Sequence, residues 1–235
     1  MTQKAITDPA RPQTQRATQR AGKTAARREA ILEAALEEFC EKGFAATRVE
    51  DVAARAGVAK GTIYLNFKDK QALFEDLVRS RLGGHLTRLE TVHLDSGLGM
   101  RNTVEALVLP LIEAARAGRL GELVRLMLAE SGRFPALAEF YYREVVARAM
   151  DAIRRLAREA IQRGELPGDQ LLRFPQIIGA PIVVTLLWNT LFDKFAPLDS
   201  RGLLQAYLDV VFGASPATNE RPQRTRRAAT RAAAS

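Results

Sequence analysis

The chain has 235 residues, of which 47% are apolar and 26% charged, as in an ordinary globular protein of one or two domains. Its net charge of +8 is concentrated at the two ends, where residues 1–28 carry seven basic residues against Asp8 and residues 213–235 carry five against Glu220. The intervening residues are slightly acidic, so the basic pI does not by itself establish a nucleic-acid partner, and the ends can equally serve solubility.

Residues 1–26 are rich in Thr, Gln, Arg, Ala and Pro, which predicts a disordered basic arm, and residues 214–235 predict a similar tail. The arm either follows the minor groove beside a DNA-binding domain or solubilises the chain. It contains no apolar run typical of a secretory signal, and the single cysteine, Cys40, excludes an intrachain disulfide. Both features predict a cytoplasmic protein.

Residues 27–70 are predicted to form three helices. The first covers about 27–42 and ends at Gly43, because a glycine readily adopts the backbone conformation that terminates a helix. Cys40 continues this helical pattern and is interpreted as a small buried apolar residue. An apolar stripe on one side of the helix predicts its buried face: Ile31, Ala35 and Phe39, with Leu32 and Leu36 beside them.

The next two helices have the spacing of a helix-turn-helix. Thr47 and Glu50 have the spacing of a capping box, which predicts a second helix over 48–56. Gly57 supplies the positive φ that a tight turn requires, and the third helix runs from about Lys60 to Phe67. The residues expected between the two helices are small or apolar: Val52, Ala53, Ala56, Val58 and Ile63.

If Ile63 and Phe67 are buried, the opposite face of the third helix presents Lys60, Thr62, Leu65 and Asn66. Such a helix can lie in the major groove of DNA. The alternative is an ordinary helical hairpin within a core.

The stretch ILEAALEEFCEKGFAATRVEDVAARAGVAKGTIYLNFKDKQALFEDLV, residues 31–78, resembles the DNA-binding domain of tetracycline-repressor (TetR) family regulators. The motifs GF-x-A-T, D-V-A-x-x-A-G-V and K-G-T-I-Y-x-x-F-x-x-K-x-A-L occur in that order. The resemblance covers about a fifth of the chain. It implies a homodimer, about nine helices per subunit and a small-molecule pocket in the C-terminal body.

The resemblance also implies a set of DNA contacts. Tyr64, Asn66, Thr47 and Lys70 would hold phosphates, while Thr62, Leu65 and Lys60 would face bases. Ala59 replaces the family's usual serine and Asn66 its frequent histidine, so the base preference stays open. The complete set of candidate contacts is Thr47, Lys60, Thr62, Tyr64, Leu65, Asn66, Lys68 and Lys70.

Residues 71–213 are predicted to form a helical effector-binding and dimerisation domain. The fourth helix begins at Asp69 or Lys70 and continues to Leu89, with a bend at Gly83-Gly84. Further helices are predicted at about 101–117, 119–131, 136–163, 169–195 and 200–212. The fold class is therefore all-α, with an N-terminal helix-turn-helix domain and a C-terminal helical domain.

Residues 174–192 contain no charge and raise the question of a membrane span. Close flanking charges, Pro175 and Pro181 instead favour a helix buried in protein. We expect it to pair with the last helix across a two-fold axis, as the resemblance also implies; the alternative is burial within one subunit. The predicted interface comprises Ile178, Val183, Leu187, Leu191, Leu203, Tyr207 and Val211.

The two prolines predict a kink or break that could open a cavity near Trp188. The pool from which a pocket could be built is apolar and aromatic, which favours an apolar or aromatic effector; the alternative is an ordinary core. The pool comprises Leu123, Met127, Phe134, Phe140, Tyr141, Trp188 and Phe192.

His85 and His93, with Glu90 between them, lack a third ligand at metal spacing, and the chain contains no nucleotide-binding or hydrolase motif. The sequence therefore predicts no enzyme, no cofactor and no metal. It predicts a repressor that an effector releases from a palindromic operator in double-stranded DNA. The alternative is an architectural or division-linked DNA-binding protein. The operator, the regulated genes, the effector and the choice between repression and activation stay open.

Overall fold

The computed structural model describes residues 11–94, 97–116 and 118–213, and over these ranges it is built of helices without strands. This confirms the all-α prediction. The α-helices in chain order are α1 (Arg11–Ala46), α2 (Val49–Arg55), α3 (Lys60–Tyr64), α4 (Lys70–Thr91), α5 (Gly99–Arg116), α6 (Arg119–Glu130), α7 (Pro135–Tyr141), α8 (Arg148–Gln162), α9 (Gln170–Arg173), α10 (Gln176–Leu191) and α11 (Ser200–Phe212).

A π-helical segment, Tyr142–Ala147, joins α7 to α8, so residues 135–162 form one continuous helical segment. With this segment counted as one helix and the single-turn α9 left out, the described residues form nine helices. The prediction of about nine helices is confirmed. Gly83-Gly84 does not interrupt α4, which runs to Thr91.

Helix α1 begins at Arg11, whereas the sequence predicted disorder up to residue 26. That expectation considered only the shortage of large apolar side chains between residues 11 and 26. Arg, Gln and Ala are strong helix formers, and elongating an existing helix avoids the cost of nucleating a new one. The remainder of the predicted arm, residues 1–10, and the predicted tail lie outside the described residues.

The C-terminal half of α1 forms the centre of a core that extends from the helix-turn-helix domain (residues 27–70, the head) into the helical domain that follows it (residues 71–213, the body). Ile31, Ala35 and Phe39 are fully buried, as their spacing predicted. Cys40 is exposed rather than buried, because it lies at the edge of the α1–α6 contact, where its Sγ is 3.9 Å from the carbonyl oxygen of Glu122. This core also includes residues of α2, α3, α4, α6 and α7.

A second core lies in the body, between α5, α8, α10 and α11. Thus α4 packs against α1 and α7 at one end and against α5 and α8 further along, which links the two cores.

The predicted helix over 169–195 is divided into α9 and α10. The break falls at Phe174, before Pro175, which takes the N-cap position of α10, where the missing N–H costs little. Pro181 lies within α10 and leaves the Ile177 carbonyl without its usual N–H donor. The hydroxyl of Tyr207 on α11 donates a hydrogen bond to that carbonyl.

The question of a membrane span is answered for the described residues. Among them, no helix combines the length and the apolar character needed to cross a bilayer. Helix α10 itself is 16 residues long.

Candidate DNA-binding surface and effector cavity

The turn between α2 and α3 has the geometry of a helix-turn-helix. Gly57 adopts a φ of 65°, and the N–H of Val58 donates to the carbonyl oxygen of Ala53 at 3.0 Å. Val52 and Ile63 are buried between the two helices. The turn therefore holds α3 at a fixed angle to α2, as the spacing of these residues predicted.

Ion pairs from Arg55 fix α2 to α1. Its Nε lies 2.7 Å from Oε1 of Glu38, and its guanidinium also contacts Glu37 and Glu41. The hydrogen bonds from Arg119 and Arg55 lower the pKa of Glu37, and the one from Arg55 lowers the pKa of Glu41. The orientation of the helix-turn-helix is thus set by polar contacts as well as by its apolar wedge.

Ile63 and Phe67 attach α3 to the core, and the residues opposite them face outward. Leu65 is 88% exposed, and Tyr64 beside it is 46% exposed. Leu65 lies directly after the last residue of α3, and an exposed apolar side chain there can pack against the methyl group of a thymine. We call Lys60, Thr62, Tyr64, Leu65, Asn66 and Lys68 the α3 surface.

Lys60 on this surface has an acidic neighbour. Its Nζ forms an ion pair with Glu50 of α2 and lies 5.7 Å from the centroid of the Tyr64 ring. The pair raises the pKa of Lys60 and lowers the pKa of Glu50. Lys60 is therefore positively charged and exposed, and a phosphate or a guanine edge would have to compete with Glu50 for it.

Asn66 stabilises the end of α3. Its Nδ2 donates to the carbonyl oxygen of Thr62 at 2.8 Å, so the amide closes the last turn of the helix. The amide group remains exposed and keeps a second N–H for a phosphate.

Thr47 does not occupy the position that the resemblance implied. Its side chain is buried, with 2% exposure for the residue, and its Oγ1 lies 3.0 and 2.8 Å from the carbonyl oxygens of Glu38 and Gly43. The N-cap of α2 is Arg48, which makes no side-chain capping bond. Two carbonyl oxygens of α1 engage the hydroxyl, so Thr47 cannot hold a phosphate through its side chain.

Lys70 also points into the protein. Its Nζ donates to the carbonyl oxygens of Phe44, Ala45 and Thr47 at 2.6, 2.9 and 2.9 Å. These carbonyls belong to the C-terminal end of α1 and the turn after it, where such groups lack helical partners and the helix dipole attracts a cation. Desolvation lowers the pKa of Lys70, against the opposing effect of Glu130. Lys70 is a helix cap, not a projecting DNA contact.

The body contains a cavity of about 140 Å³ next to α4. Helices α4, α5, α8 and α10 and the π-helical segment form its walls, and nearly all of the lining side chains are aliphatic. The lining residues are Leu82, His85, Leu86, Leu89, Met100, Val104, Leu107, Val108, Leu111, Val145, Ala149, Ile153, Leu156, Ile178, Gly179 and Ile182.

None of the seven residues that the sequence suggested for a pocket lines this cavity. Five of them pack in or against the core around α1, where the Phe134 ring lies 5.0 Å from Phe44: Leu123, Met127, Phe134, Phe140 and Tyr141. The other two, Trp188 and Phe192, lie at the end of α10, where their rings meet edge to face. The prediction from the sequence favoured aromatic residues, whereas the side chains that line this cavity are mainly aliphatic.

The sequence argues against a metal site at His85 and His93, and the structure places the two side chains in separate environments. His85 lines the cavity, while Nδ1 of His93 lies 3.2 Å from Oε1 of Glu159. The described residues contain no group of three His, Cys, Asp or Glu side chains suited to a metal ion. The helical stripe Leu82, Leu86 and Leu89, with His85 within it, was the available signal.

The predicted dimer residues divide into two groups. Ile178 is buried and lines the cavity, so it cannot belong to an outer surface. The other six are exposed or half-buried on α10 and α11: Val183, Leu187, Leu191, Leu203, Tyr207 and Val211.

Further apolar side chains of α10, α11 and the loop between them are exposed. Val210 and Phe195 are each 85% exposed, and Val184 and Phe192 are 45% exposed. We call the whole set the α10–α11 surface. Its concentration of exposed apolar area is the kind found at protein interfaces.

Two family models match the chain. That of the bacterial regulatory proteins of the tetR family matches residues 31–77, and that of the tetracyclin repressor-like C-terminal domain matches residues 96–196. The first includes α2 and α3, and the second includes most of the cavity wall.

Among individual proteins, the chain is similar to the transcriptional repressor KstR2 of Mycolicibacterium smegmatis, with 26% identity over 74% of this chain and 83% of that protein. KstR2 of Rhodococcus jostii is 35% identical over 34% of this chain and 38% of its own length. The chain spans only 20–38% of the length of the three curated relatives that it matches at 35–40% identity. The solved complex of SmeT with triclosan has a TM-score of 0.67 and 25% identity, covering 79% of this chain and 90% of that one; SmeT is the repressor of a multidrug efflux pump of Stenotrophomonas maltophilia.

Proposed function

The chain belongs to the TetR family of transcriptional regulators, and from this premise we propose that it is a dimeric DNA-binding repressor that an apolar effector releases from its operator. Members of the family are DNA-binding regulators rather than enzymes. The observation that carries the proposal is the combination of an outward-facing α3 with an aliphatic cavity beside α4.

In the proposed complex, α3 lies in the major groove. Leu65 packs against base edges, while Lys60 and Thr62 donate to bases and Tyr64, Asn66 and Lys68 contact phosphates. The exposure of Leu65 and Tyr64 and the charge of Lys60 support this arrangement. Thr47 and Lys70 are left out of the proposed contacts because their side chains are engaged within the head.

The α10–α11 surface is the proposed dimer interface. Its exposed apolar side chains would be covered by the same surface of a second copy, which forms a closed two-fold contact. A two-fold dimer presents two α3 helices to the DNA, and a palindromic operator repeats its half-site with the same symmetry.

The cavity is the proposed effector site. It lies beside α4, which begins at Lys70 in the head and continues into the body. A ligand that fits one orientation of α4 better than another would therefore favour one orientation of the DNA-binding head. Only differential affinity for the two orientations can produce such a response. The named complex of SmeT with triclosan supports the idea that this fold holds a small molecule.

The experiment that tests the DNA-binding part is a fluorescence-anisotropy titration. Labelled DNA from upstream of the chain's own gene is titrated with the purified protein in the presence of non-specific competitor. We expect competitor-resistant binding that Tyr64→Ala weakens by at least tenfold, the effect of losing a phosphate contact and a packed ring. Tyr142→Ala is the matched control, because Tyr142 is also exposed but lies in the body.

Binding that the competitor abolishes would contradict a site-specific repressor at that DNA and favour an architectural role. Equal affinity of Tyr64→Ala and the unmodified protein would contradict the assignment of the α3 surface.

A further inference from the structure

We propose that His85 is the hydrogen-bonding anchor of the cavity, and that the effector is a compact neutral molecule with an apolar body and one hydroxyl group. The inference rests on the proposed function, because it assigns the chemistry of the ligand to the cavity already proposed as the effector site.

The composition of the cavity wall points to His85. Of the residues that line the cavity, His85 alone has a polar side chain; the others are aliphatic, methionine or glycine. A ligand that carries a single polar group therefore has one place in the lining where a side chain can pair with it. A polar group directed at any other part of the wall would lose its hydration without compensation.

The hydrogen-bonding groups of His85 are not engaged within the described residues. The side chain is half-buried, and it has no hydrogen bond or ion pair with any part of the chain that the structure describes. This contrasts with His93, which pairs with Glu159 and is also near Arg155. A neutral imidazole carries one donor and one acceptor, so His85 can both accept from a hydroxyl and donate to one.

The lining of the cavity disfavours a charged head group. Neither an arginine nor a lysine lines the cavity, so a carboxylate or phosphate entering it would give up its hydration for one imidazole. Burying an ion without a full set of partners is far more costly than burying a hydroxyl that forms a hydrogen bond.

The size of the cavity limits the size of the ligand. A cavity of about 140 Å³ is close to that of an engineered apolar cavity of roughly 150 Å³ that holds benzene. A single substituted aromatic ring is therefore of the right size. A phenol combines such a ring with one hydroxyl group.

The position of His85 connects binding to the head. It lies on α4, one helical turn from Leu82 and Leu89, which also line the cavity. Lys70, the first residue of α4, caps the end of α1. A ligand bonded to His85 therefore acts on the helix that joins the body to the DNA-binding domain.

The test compares two ligands of nearly equal shape, para-cresol and para-xylene, which differ by a hydroxyl in place of a methyl group. Their dissociation constants are measured by calorimetry with the full chain and no DNA. The quantity of interest is selectivity, the Kd of para-xylene divided by the Kd of para-cresol. His85→Leu should reduce selectivity by about tenfold, because it leaves the hydroxyl without a partner.

His85→Gln should preserve selectivity within about threefold, since its amide can both donate and accept. Two controls are expected to leave selectivity unchanged. Met100→Leu alters the apolar wall at nearly constant volume, and His93→Leu removes the histidine that lies outside the cavity. A third ligand, para-toluate, tests the exclusion of anions and should bind more weakly than para-cresol.

Equal selectivity in His85→Leu and the unmodified chain would overturn the role of His85 while leaving the cavity as the effector site. Tighter binding of para-toluate than of para-cresol would overturn the neutral head group. Failure of both para-cresol and para-xylene to bind the unmodified chain would overturn this inference and the proposed effector site together, but not the DNA-binding proposal.

Discussion

Replacing Lys70 with methionine, in parallel with the same change at Lys68, separates a structural lysine from a DNA-contacting one. The two residues are close in sequence, and both lie in the stretch, residues 31–78, that resembles the DNA-binding domain of the family. Lys70 is half-buried against the end of α1, whereas Lys68 is exposed and has no ion pair within the described ranges. We expect Lys70→Met to lower stability and Lys68→Met to lower DNA affinity.

The size of the stability effect follows from the contacts of Lys70. Its ammonium group donates three hydrogen bonds to carbonyl oxygens, each contributing about 1 kcal/mol net. Part of this gain is offset by the cost of desolvating the ammonium group, which also lowers the pKa of Lys70 and which methionine does not incur. We therefore expect a loss of about 1–2 kcal/mol, or roughly 2–8 °C in Tm for a chain of this size.

Two measurements check the pair. Thermal denaturation followed by circular dichroism should show the lower Tm for Lys70→Met and a change within about 0.5 kcal/mol for Lys68→Met. Anisotropy titrations at several salt concentrations, well below either Tm, should show weaker binding by Lys68→Met. Its log–log salt slope should be smaller by about one, because one phosphate contact is lost.

The opposite pattern would refute the reasoning. If Lys70→Met reduced the salt slope without lowering the Tm, Lys70 would be a phosphate contact and its three carbonyl bonds would contribute nothing to stability.

Three further predictions concern the body. Gly179→Val should abolish para-xylene binding in calorimetry while the chain stays folded, because no atom lies within 4 Å of a Cβ at this position on the cavity wall. Leu187→Glu should convert the dimer to a monomer in sedimentation velocity, since it places a charge on the α10–α11 surface. Tyr207→Phe should lower the free energy of unfolding by about 1–2 kcal/mol in denaturant titrations. Most of this cost should disappear when Pro181→Ala restores an N–H donor to the carbonyl of Ile177.

Matched variants control the first two of these predictions. Gly84→Ala also adds a side chain where a Cβ would meet no atom within 4 Å, but on the exposed side of α4, so para-xylene should still bind. Leu128→Glu places a charge at an exposed leucine of α6, outside the proposed interface, and should leave the dimer intact.

Contrary outcomes have a clear meaning for each prediction. Undiminished para-xylene binding by Gly179→Val would place the ligand outside the cavity. A dimeric Leu187→Glu would move the interface away from α10. An equal cost of Tyr207→Phe with and without Pro181 would show that the hydroxyl does not compensate for the proline.

Much of the fold could be predicted from the sequence, because helices depend on residues that are close in the chain. The stripe through Ile31, Ala35 and Phe39 predicted the buried face of α1, and Gly57 predicted the positive φ of the turn. Exposure of Leu65 followed from burial of its neighbours on the opposite face of α3. Each of these inferences needs only helical geometry and the conformational freedom of glycine.

The roles of Thr47 and Lys70 could not be predicted in this way. Both belong to a local motif that suits a phosphate contact, yet both side chains bond to carbonyls exposed where α1 ends. For Lys70 these carbonyls are 23–26 positions earlier in the chain. Which carbonyls lie within reach depends on how α4 packs against α1, and that arrangement is a property of the tertiary structure.

The cavity likewise exists only in the folded chain. It is the volume that side chains from α4, α5, α8 and α10 leave unfilled, so the apolar stripe of any one helix indicates a buried face but not a cavity. The sequence determined that His85 lies among leucines on a helix. By itself, this does not distinguish His85 from the other residues on that face of the helix. Tertiary packing placed His85 at the wall of an aliphatic cavity without a bonding partner, because helices of fixed shape cannot fill every gap between them.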